Sequence, residues 1–380
     1  MATRARLVGL DVARALALLG MVATHLLLEI GPDGEQTWPH DLAGGRASAL
    51  FAVLAGVTLA FLTGGRTPLR GRDRWLASLG VVGRAVVIGL VGLWLGGYET
   101  GLAIILTYYA VLFVLGLAFV GLRARALALL AAGWALVVPV LSHLLRPELP
   151  ERGFSSPAFD QLAEPVRLLS ELLFTGYYPA VPWLACLLAG MAIGRSDLTR
   201  RSLQVAWLVG GAALALGTAA LSGLLVSSRF PERELDEAAL GYPGTTPTDR
   251  WDRLLLDAPH SATPFDLAVT IGSALAVIGG CLLVVGLLPP FAERAVAIVF
   301  GAGTMTLTLY TLHALLRADV WPSDSPDAFR NHVLTLALVG AFFAGFRWRG
   351  PLELVAGLPT RLLRRREARN RQEPAPVRRP

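Results

Sequence analysis

The chain has 380 residues, 54% of them hydrophobic and only 16% charged, and its mean hydropathy is +0.56. That balance excludes a disordered chain and an ordinary soluble domain, and describes a polytopic membrane protein. The formal charge of +6 does not call for nucleic acid: every basic side chain is Arg, scattered through short loops and a polar tail, where topology and anionic headgroups account for it. The lack of Lys also removes Schiff-base and lysine-base chemistry.

Apolar stretches recur about ten times, near 7–28, 46–64, 81–97, 101–121, 126–145, 179–194, 202–226, 265–288, 295–317 and 329–346. The expected fold is all-α, a membrane helix bundle of about ten transmembrane helices. Arg4 and Arg6 precede the first stretch as in a secretory signal. No small-residue cleavage site follows, and Asp11 and Arg14 interrupt the apolar run, so it reads as a retained first helix.

That first stretch carries Asp11, Arg14 and His25 among Leu, Ala, Val, Met and Gly. Ionisable groups within a span are costly and mark function. At about 100° per residue, Arg14 lies about 60° and His25 about 40° from Asp11, so the three share one face. Arg14 and His25 are separated by ~16 Å along the axis, one near each end. A polar path through the membrane is the simplest reading; the bland alternative is an Asp11–Arg14 packing pair with His25 at the interface.

In the second stretch, Gly44, Gly45, Phe51 and Gly56 would let that helix lie tightly against the first. The sixth opens with Tyr177-Tyr178-Pro179-Ala180-Val181-Pro182-Trp183, a rigid interfacial start, and closes with Gly190-x-x-x-Gly194-Arg195, a close-packing pattern followed by a basic residue. Thr306, Tyr310, His313 and Arg317 form a second polar stripe on the ninth. Ordinary hydrogen bonding between helices is the alternative for that stripe.

Arginines at 66–74, 123–125, 195–201 and from 347 onward fall on one side of a ten-span arrangement, which makes that side and both termini cytoplasmic. The loops 29–45, 146–178 and 227–264 then lie outside, and the third reads as an irregular lobe that covers an outward cavity. All six histidines, His25, His40, His143, His260, His313 and His332, fall at or near that outer side. An imidazole there suits proton removal from a hydroxyl or amine. Cys186 and Cys281 lie within spans far apart in sequence, which supports neither a disulfide framework nor a metal site.

Taken in order, Leu10-Asp11-Val12-Ala13-Arg14-Ala15-Leu16-Ala17 with His25, Phe51 to Gly56, the Tyr-Pro-x-x-Pro-Trp segment and Leu309-Tyr310-Thr311-Leu312-His313 resemble the bacterial branch of the heparan-alpha-glucosaminide N-acetyltransferase family. The Arg14 to His25 spacing is also similar to the first-helix signature of the membrane sugar O-acyltransferases. The resemblance implies a transmembrane acyltransferase-like domain over 1–350, with 351–380 as a basic cytoplasmic tail, read as disordered. It implies acetyl transfer from cytoplasmic acetyl-CoA to an amine or hydroxyl of an extracytoplasmic envelope sugar, glycan or glycolipid, with no metal. His40 matches the family's loop histidine and His25 that of the sister enzymes, giving two candidate bases. Asp41 or Glu29 would orient the base, Tyr310 or His313 would support substrate, Asp11 would stand with Arg14, and Arg14 and Arg195 would meet the nucleotide phosphates. The rival reading is a transporter or channel using the Asp11, Arg14 and His25 path; a non-catalytic family member is a third. Membrane lipid surrounds the chain, and small-residue faces are compatible with a homodimer.

Overall fold

A computed structural model describes residues 7–32, 34–153 and 156–372, with the side chains of 364–372 not described. The described residues are all-α, and their only extended pairing is one isolated bridge, Ile30 with Gln36. In chain order the helices are α1 (Val8–Leu26), α2 (Trp38–Ala43), α3 (Arg46–Leu62), α4 (Gly71–Gly96), α5 (Leu106–Gly116), α6 (Ala124–Leu145), α7 (Pro165–Ser170), α8 (Ala180–Gly194), α9 (Arg201–Val226), α10 (Glu232–Ala239), α11 (Pro264–Val285), α12 (Pro290–Val299), α13 (Thr306–Asp319), α14 (Ala328–Gly345) and α15 (Pro351–Gln372).

Seven helical segments among the described residues are long and apolar enough to cross a bilayer; Pro165–Thr175 and Ala180–Gly194 reach that length only as a pair, bent by 49°, a broken span or a re-entrant element. At 1.5 Å per residue α8 alone covers ~22 Å, short of a ~30 Å hydrocarbon core. The bend falls between a π turn, Glu171–Thr175, and Pro179, where the regular ladder stops. The expected stretches at 101–121 and 295–317 are not straight spans. The first holds the short apolar helix Leu106–Phe119. The second breaks into α12, a 3₁₀ turn Gly301–Thr304 and α13. Its cause is local: Gly303 presses its Cα on the Asp11 carbonyl of α1, and Gly301 presses on the Gly340 carbonyl of α14, leaving no room for a Cβ at either position. Hydropathy averaging runs through such a break without registering it.

Helix α8 is the hub, buried on nearly every side and packed on α3, α5, α6 and α11. Gly190 meets the Val53 carbonyl and Gly56 meets Leu187, so the small-residue pattern joins α3 to α8, not α3 to α1 as its sequence position suggested. The α1–α3 contact uses Gly20 against Ala47 instead. Outward-facing Leu129, Leu136, Leu216 and Leu224 on α6 and α9 stand bare, as lipid-facing side chains do.

The segment from 351, expected as a disordered tail, forms α15 through Gln372; residues 373–380 lie outside the described set. Its first half is apolar (Leu352, Leu354, Val355, Ala356, Leu358), and Pro359 and Thr360 seat against Gly83 and Gly80 of α4. Glu353 also accepts hydrogen bonds from Leu307 N (2.8 Å), Thr308 N (3.2 Å) and Thr308 Oγ1 (2.5 Å), capping the start of α13.

Candidate functional site

Two cavities occupy opposite ends of α1. At the arginine-rich end, a cavity of about 1090 Å³ is lined by Arg14, Arg84, Arg294, Arg347, Arg349 and Arg361 against two carboxylates, Asp11 and Glu353. Both carboxylates are committed: Asp11 Oδ1 lies 2.9 Å from Arg14 Nη1, and Glu353 caps α13. Arg14 Nη2 also reaches Thr58 Oγ1 at 3.3 Å. Two lining nitrogens, Arg84 Nε and Arg361 Nη2, are buried with no hydrogen-bond acceptor among the described residues. A buried donor without a partner is costly, and a chamber rich in guanidinium groups with two such donors offers charge-assisted hydrogen bonds to an anion. Its volume reaches the upper end of the ~300–1,000 Å³ typical of ligand pockets.

From Arg14 and Arg84 a narrow, mostly apolar space of about 80 Å³ continues inward past Thr58, Phe51, Thr306 and Tyr109. There it stops. The Phe51 and Tyr109 rings are near-parallel with centroids 5.4 Å apart, and Tyr109 Oη donates to the Ser48 carbonyl at 3.1 Å. Ser48 is already a wall of the second cavity. The open polar path expected from the α1 face is therefore two chambers separated by one packed layer.

The second cavity, about 270 Å³, gathers side chains from five parts of the chain: Thr24, His25 and Glu29 at the end of α1, His40 on α2, Tyr177 and Tyr178 at the bend before α8, His260 before α11, and Arg317 at the end of α13. The 227–264 lobe closes one side with Leu240, Pro259 and His260, as its sequence suggested. His40 Nε2 donates to the Leu27 carbonyl (3.1 Å), which turns Nδ1 toward Glu29 Oε1 at 4.0 Å. His25 Nδ1 contacts His313 Nε2 at 3.0 Å, and His313 Nδ1 contacts His332 Nδ1 at 2.9 Å. Arg317 Nε donates to the His25 carbonyl (3.3 Å), and Arg317 Nη1 to that of Thr100.

His260 was one scattered histidine in the sequence; the fold places it in an aromatic cluster, with its ring centroid 4.8 Å from Tyr177, 5.5 Å from Tyr178 and 6.3 Å from Trp183. Its backbone sits in the left-handed region, φ 58°. The loop is pinned by a reciprocal cap on α11: Asp266 N donates to Thr263 Oγ1 (3.0 Å) and Ala262 N to Asp266 Oδ2 (2.9 Å). Burial lowers the His260 pKa to about 4, so this imidazole stays neutral at ordinary pH.

Several expected site residues fall elsewhere. Arg195 is a structural plug: its guanidinium donates to the carbonyls of Ala60, Thr63, Gly65 and Val120 and to Thr63 Oγ1, away from both chambers. Asp41 is exposed and does not line the histidine cavity; its backbone carbonyl accepts from Arg46. Tyr310 is buried, its hydroxyl accepting from Ile105 N at 3.4 Å. Asp11 belongs to the arginine chamber, far from the imidazoles. His313 supports His25 from behind and does not face the space itself. His143 stands apart, against Trp251 (4.7 Å). Sequence reasoning gave no special role to Arg84, whose intramembrane position was its one available signal.

Fold and site together define a helical membrane protein with an anion-receptive chamber at one end and an imidazole-lined chamber at the other. The family model described as the catalytic domain of heparan-alpha-glucosaminide N-acetyltransferase matches residues 6–223, more than half of the chain, and the protein belongs to that family. Membership supports a membrane acetyltransferase kind of function. No curated protein matches the chain at a significant level. The match covers His25, His40, Arg14, Arg84 and the Tyr177–Tyr178 pair; His260, His313, Arg317, His332 and most of the arginine chamber lie beyond it.

Proposed function

We propose that the protein transfers an acetyl group from acetyl-CoA, held in the arginine chamber, to an amine or hydroxyl of an envelope sugar, glycan or glycolipid in the histidine chamber. The observation that carries this is the pairing of the two chambers: unspent guanidinium donors on one side of the Phe51–Tyr109 layer and three imidazoles on the other. Nucleotide phosphates match the first, with Arg84 and Arg361 as the contacts that would gain partners. The thioester end enters the narrow space as far as the Phe51–Tyr109 layer, whose two rings must part for the acetyl carbon to reach the histidine chamber. In this reading the arginine end faces the cytoplasm of a cell membrane and both termini lie inside.

His25 is the favoured base, and His40 the second candidate. The acceptor N–H or O–H loses its proton to the imidazole, the acceptor atom bonds to the thioester carbonyl carbon, the C–S bond breaks, and the sulfur leaves with the electron pair and is reprotonated. Arg317, a fixed cation on the same wall, favours the negative charge that develops on the carbonyl oxygen. The Tyr177 and Tyr178 faces supply apolar surface to a sugar ring. The packed layer argues against an open channel.

The test is direct. Protein in lipid nanodiscs binds acetyl-CoA and acetylates an acceptor drawn from envelope glycans, read by mass spectrometry; His25→Ala lowers the rate at least about a hundredfold, within the range of general-base contributions. If His25→Ala and His40→Ala each leave acetylation unchanged, the assignment of the base fails. If the protein ignores acetyl-CoA but moves solute across vesicles, the reading gives way to transport.

A further inference from the structure

The histidine array continues behind the cavity wall, and its last member ends on a group whose role is fixed. His332 Nε2 lies 3.1 Å from the Trp321 carbonyl oxygen, His332 Nδ1 lies 2.9 Å from His313 Nδ1, and His313 Nε2 lies 3.0 Å from His25 Nδ1. The His25 and His313 rings are within 8° of parallel with centroids 5.3 Å apart, which together with the short N···N distance describes rings lying side by side in one plane and sharing an N–H···N bond. Trp321 is itself held: its backbone N–H donates to the Leu316 carbonyl at 2.6 Å, and its ring lies edge-on to His332 with centroids 5.9 Å apart.

A carbonyl oxygen only accepts, so the hydrogen at that end belongs to His332 Nε2. A neutral imidazole has one N–H and one lone pair, which makes His332 Nδ1 an acceptor. His313 Nδ1 must then donate to it, and His313 Nε2 must accept. That in turn makes His25 Nδ1 the donor and leaves the lone pair on His25 Nε2. With three neutral rings no other assignment satisfies all three bonds. His25 is the member of the trio that lines the cavity.

We propose that the Trp321 carbonyl and His332 form, through His313, a tautomer-setting relay that keeps His25 Nε2 bare and ready to accept a proton. His332 is in this scheme a positioning residue, buried and out of reach of any substrate. The inference rests on the reading of His25 as the base. The same geometry holds the proton once taken: a proton arriving at His25 Nε2 lets the Nδ1 hydrogen pass to His313 Nε2 and the His313 Nδ1 hydrogen pass to His332 Nδ1. One positive charge moves two rings away from the reacting atoms, no electrons are transferred, and the reverse shift returns the proton to the departing sulfur.

Imidazole nitrogen NMR on protein labelled with ¹⁵N-histidine in lipid reads the tautomers directly, with His25 identified by the signal missing in His25→Gln. Expected for the native protein is a protonated Nδ1 and a bare Nε2 at His25. In His332→Leu the His25 signal shifts to a mixture of tautomers, and kcat falls more than tenfold with KM for acetyl-CoA unchanged. In His332→Asn the amide oxygen takes the place of Nδ1 and can accept from His313, so the His25 tautomer persists without the Trp321 bond and kcat recovers to within about threefold of the native value. A native His25 protonated on Nε2, or a His332→Leu protein with the native tautomer and native kcat, overturns the relay. Unimpaired acetylation by His25→Ala would instead remove the reading on which it rests, leaving the tautomer pattern intact, so the two failures are distinguishable.

Discussion

Replacing Arg195 by Met should destabilise the protein without weakening donor binding, and replacing Arg84 by Met should do the reverse. Arg195 holds four backbone carbonyls and one hydroxyl at 2.6–3.2 Å. Ala60 O and Thr63 O keep backbone bonds to Gly65 N (2.8 Å) and Leu69 N (3.0 Å) when the guanidinium is gone, so the loss falls mainly on the Gly65 and Val120 carbonyls. Two buried acceptors at ~1–3 kcal/mol each, with the charge-assisted character of the lost bonds, give about 3–5 kcal/mol, the range for a broken buried ionic network. Melting should fall by on the order of 10 °C. Arg84 Nε has no acceptor among the described residues, so Arg84→Met loses only its attraction to Glu353 and leaves stability within ~1 kcal/mol. It deprives an anionic ligand of one charge-assisted bond worth ~1.5–3 kcal/mol, a roughly 10- to 150-fold rise in Kd. Thermal unfolding followed by Trp fluorescence and calorimetric titration with acetyl-CoA, both in nanodiscs, separate the two. An Arg195→Met protein that melts normally but binds acetyl-CoA weakly would restore Arg195 as a cofactor ligand; an unchanged Kd in Arg84→Met would remove the arginine chamber as the donor site.

Glu353→Ala removes three hydrogen bonds at the start of α13, so amide exchange in 351–363 should accelerate by at least about tenfold while exchange in α8 stays protected; equal rates would show that the Gly80 and Gly83 contacts alone hold α15. His260 titrates near 6.5 when unfolded and at about 4 when folded, because burial disfavours its cation. The unfolded chain thus binds the extra proton first, and the stability this residue contributes is present above about pH 6.5 and drains away as pH falls toward 4. His260→Phe should flatten that part of the melting-temperature profile, and a profile as steep as the native one would refute the assignment. Tyr109→Ala deletes the ring and its bond to Ser48, opening the layer between the chambers. Release of free thiol from acetyl-CoA without acceptor should rise severalfold, at a stability cost of ~3–5 kcal/mol; unchanged release would place the seal elsewhere.

The sequence was most informative where function and helical period act together. The positions of Asp11, Arg14 and His25 on one face needed only a 3.6-residue turn, and the structure puts the first two in one chamber and the third in the other. The stripe on α13 was readable for the same reason, and each member does face the interior: Thr306 on the narrow space, Tyr310 on Ile105, His313 on His25 and Arg317 on the cavity. Periodicity could not say what a stripe meets, because the partner is supplied by packing between segments far apart in the chain. His313 and His332 are 19 residues apart and on different helices, yet their nitrogens are 2.9 Å apart. A residue's role can also differ between similar sequence settings: Arg195 and Arg84 both look like charges at a helix end or within a span, and only the structure shows that the two Nη groups of Arg195 are spent on backbone carbonyls while Arg84 lines a cavity. The α12–α13 break illustrates the same limit, since Gly301 and Gly303 add almost nothing to a hydropathy sum while their missing side chains let α1 and α14 close around the turn. That turn starts α13 inside the protein, beside the Asp11–Arg14 pair, and its direction carries His313 and Arg317 to the opposite end. The element hardest to predict from sequence is thus the one that ties the guanidinium chamber to the imidazoles.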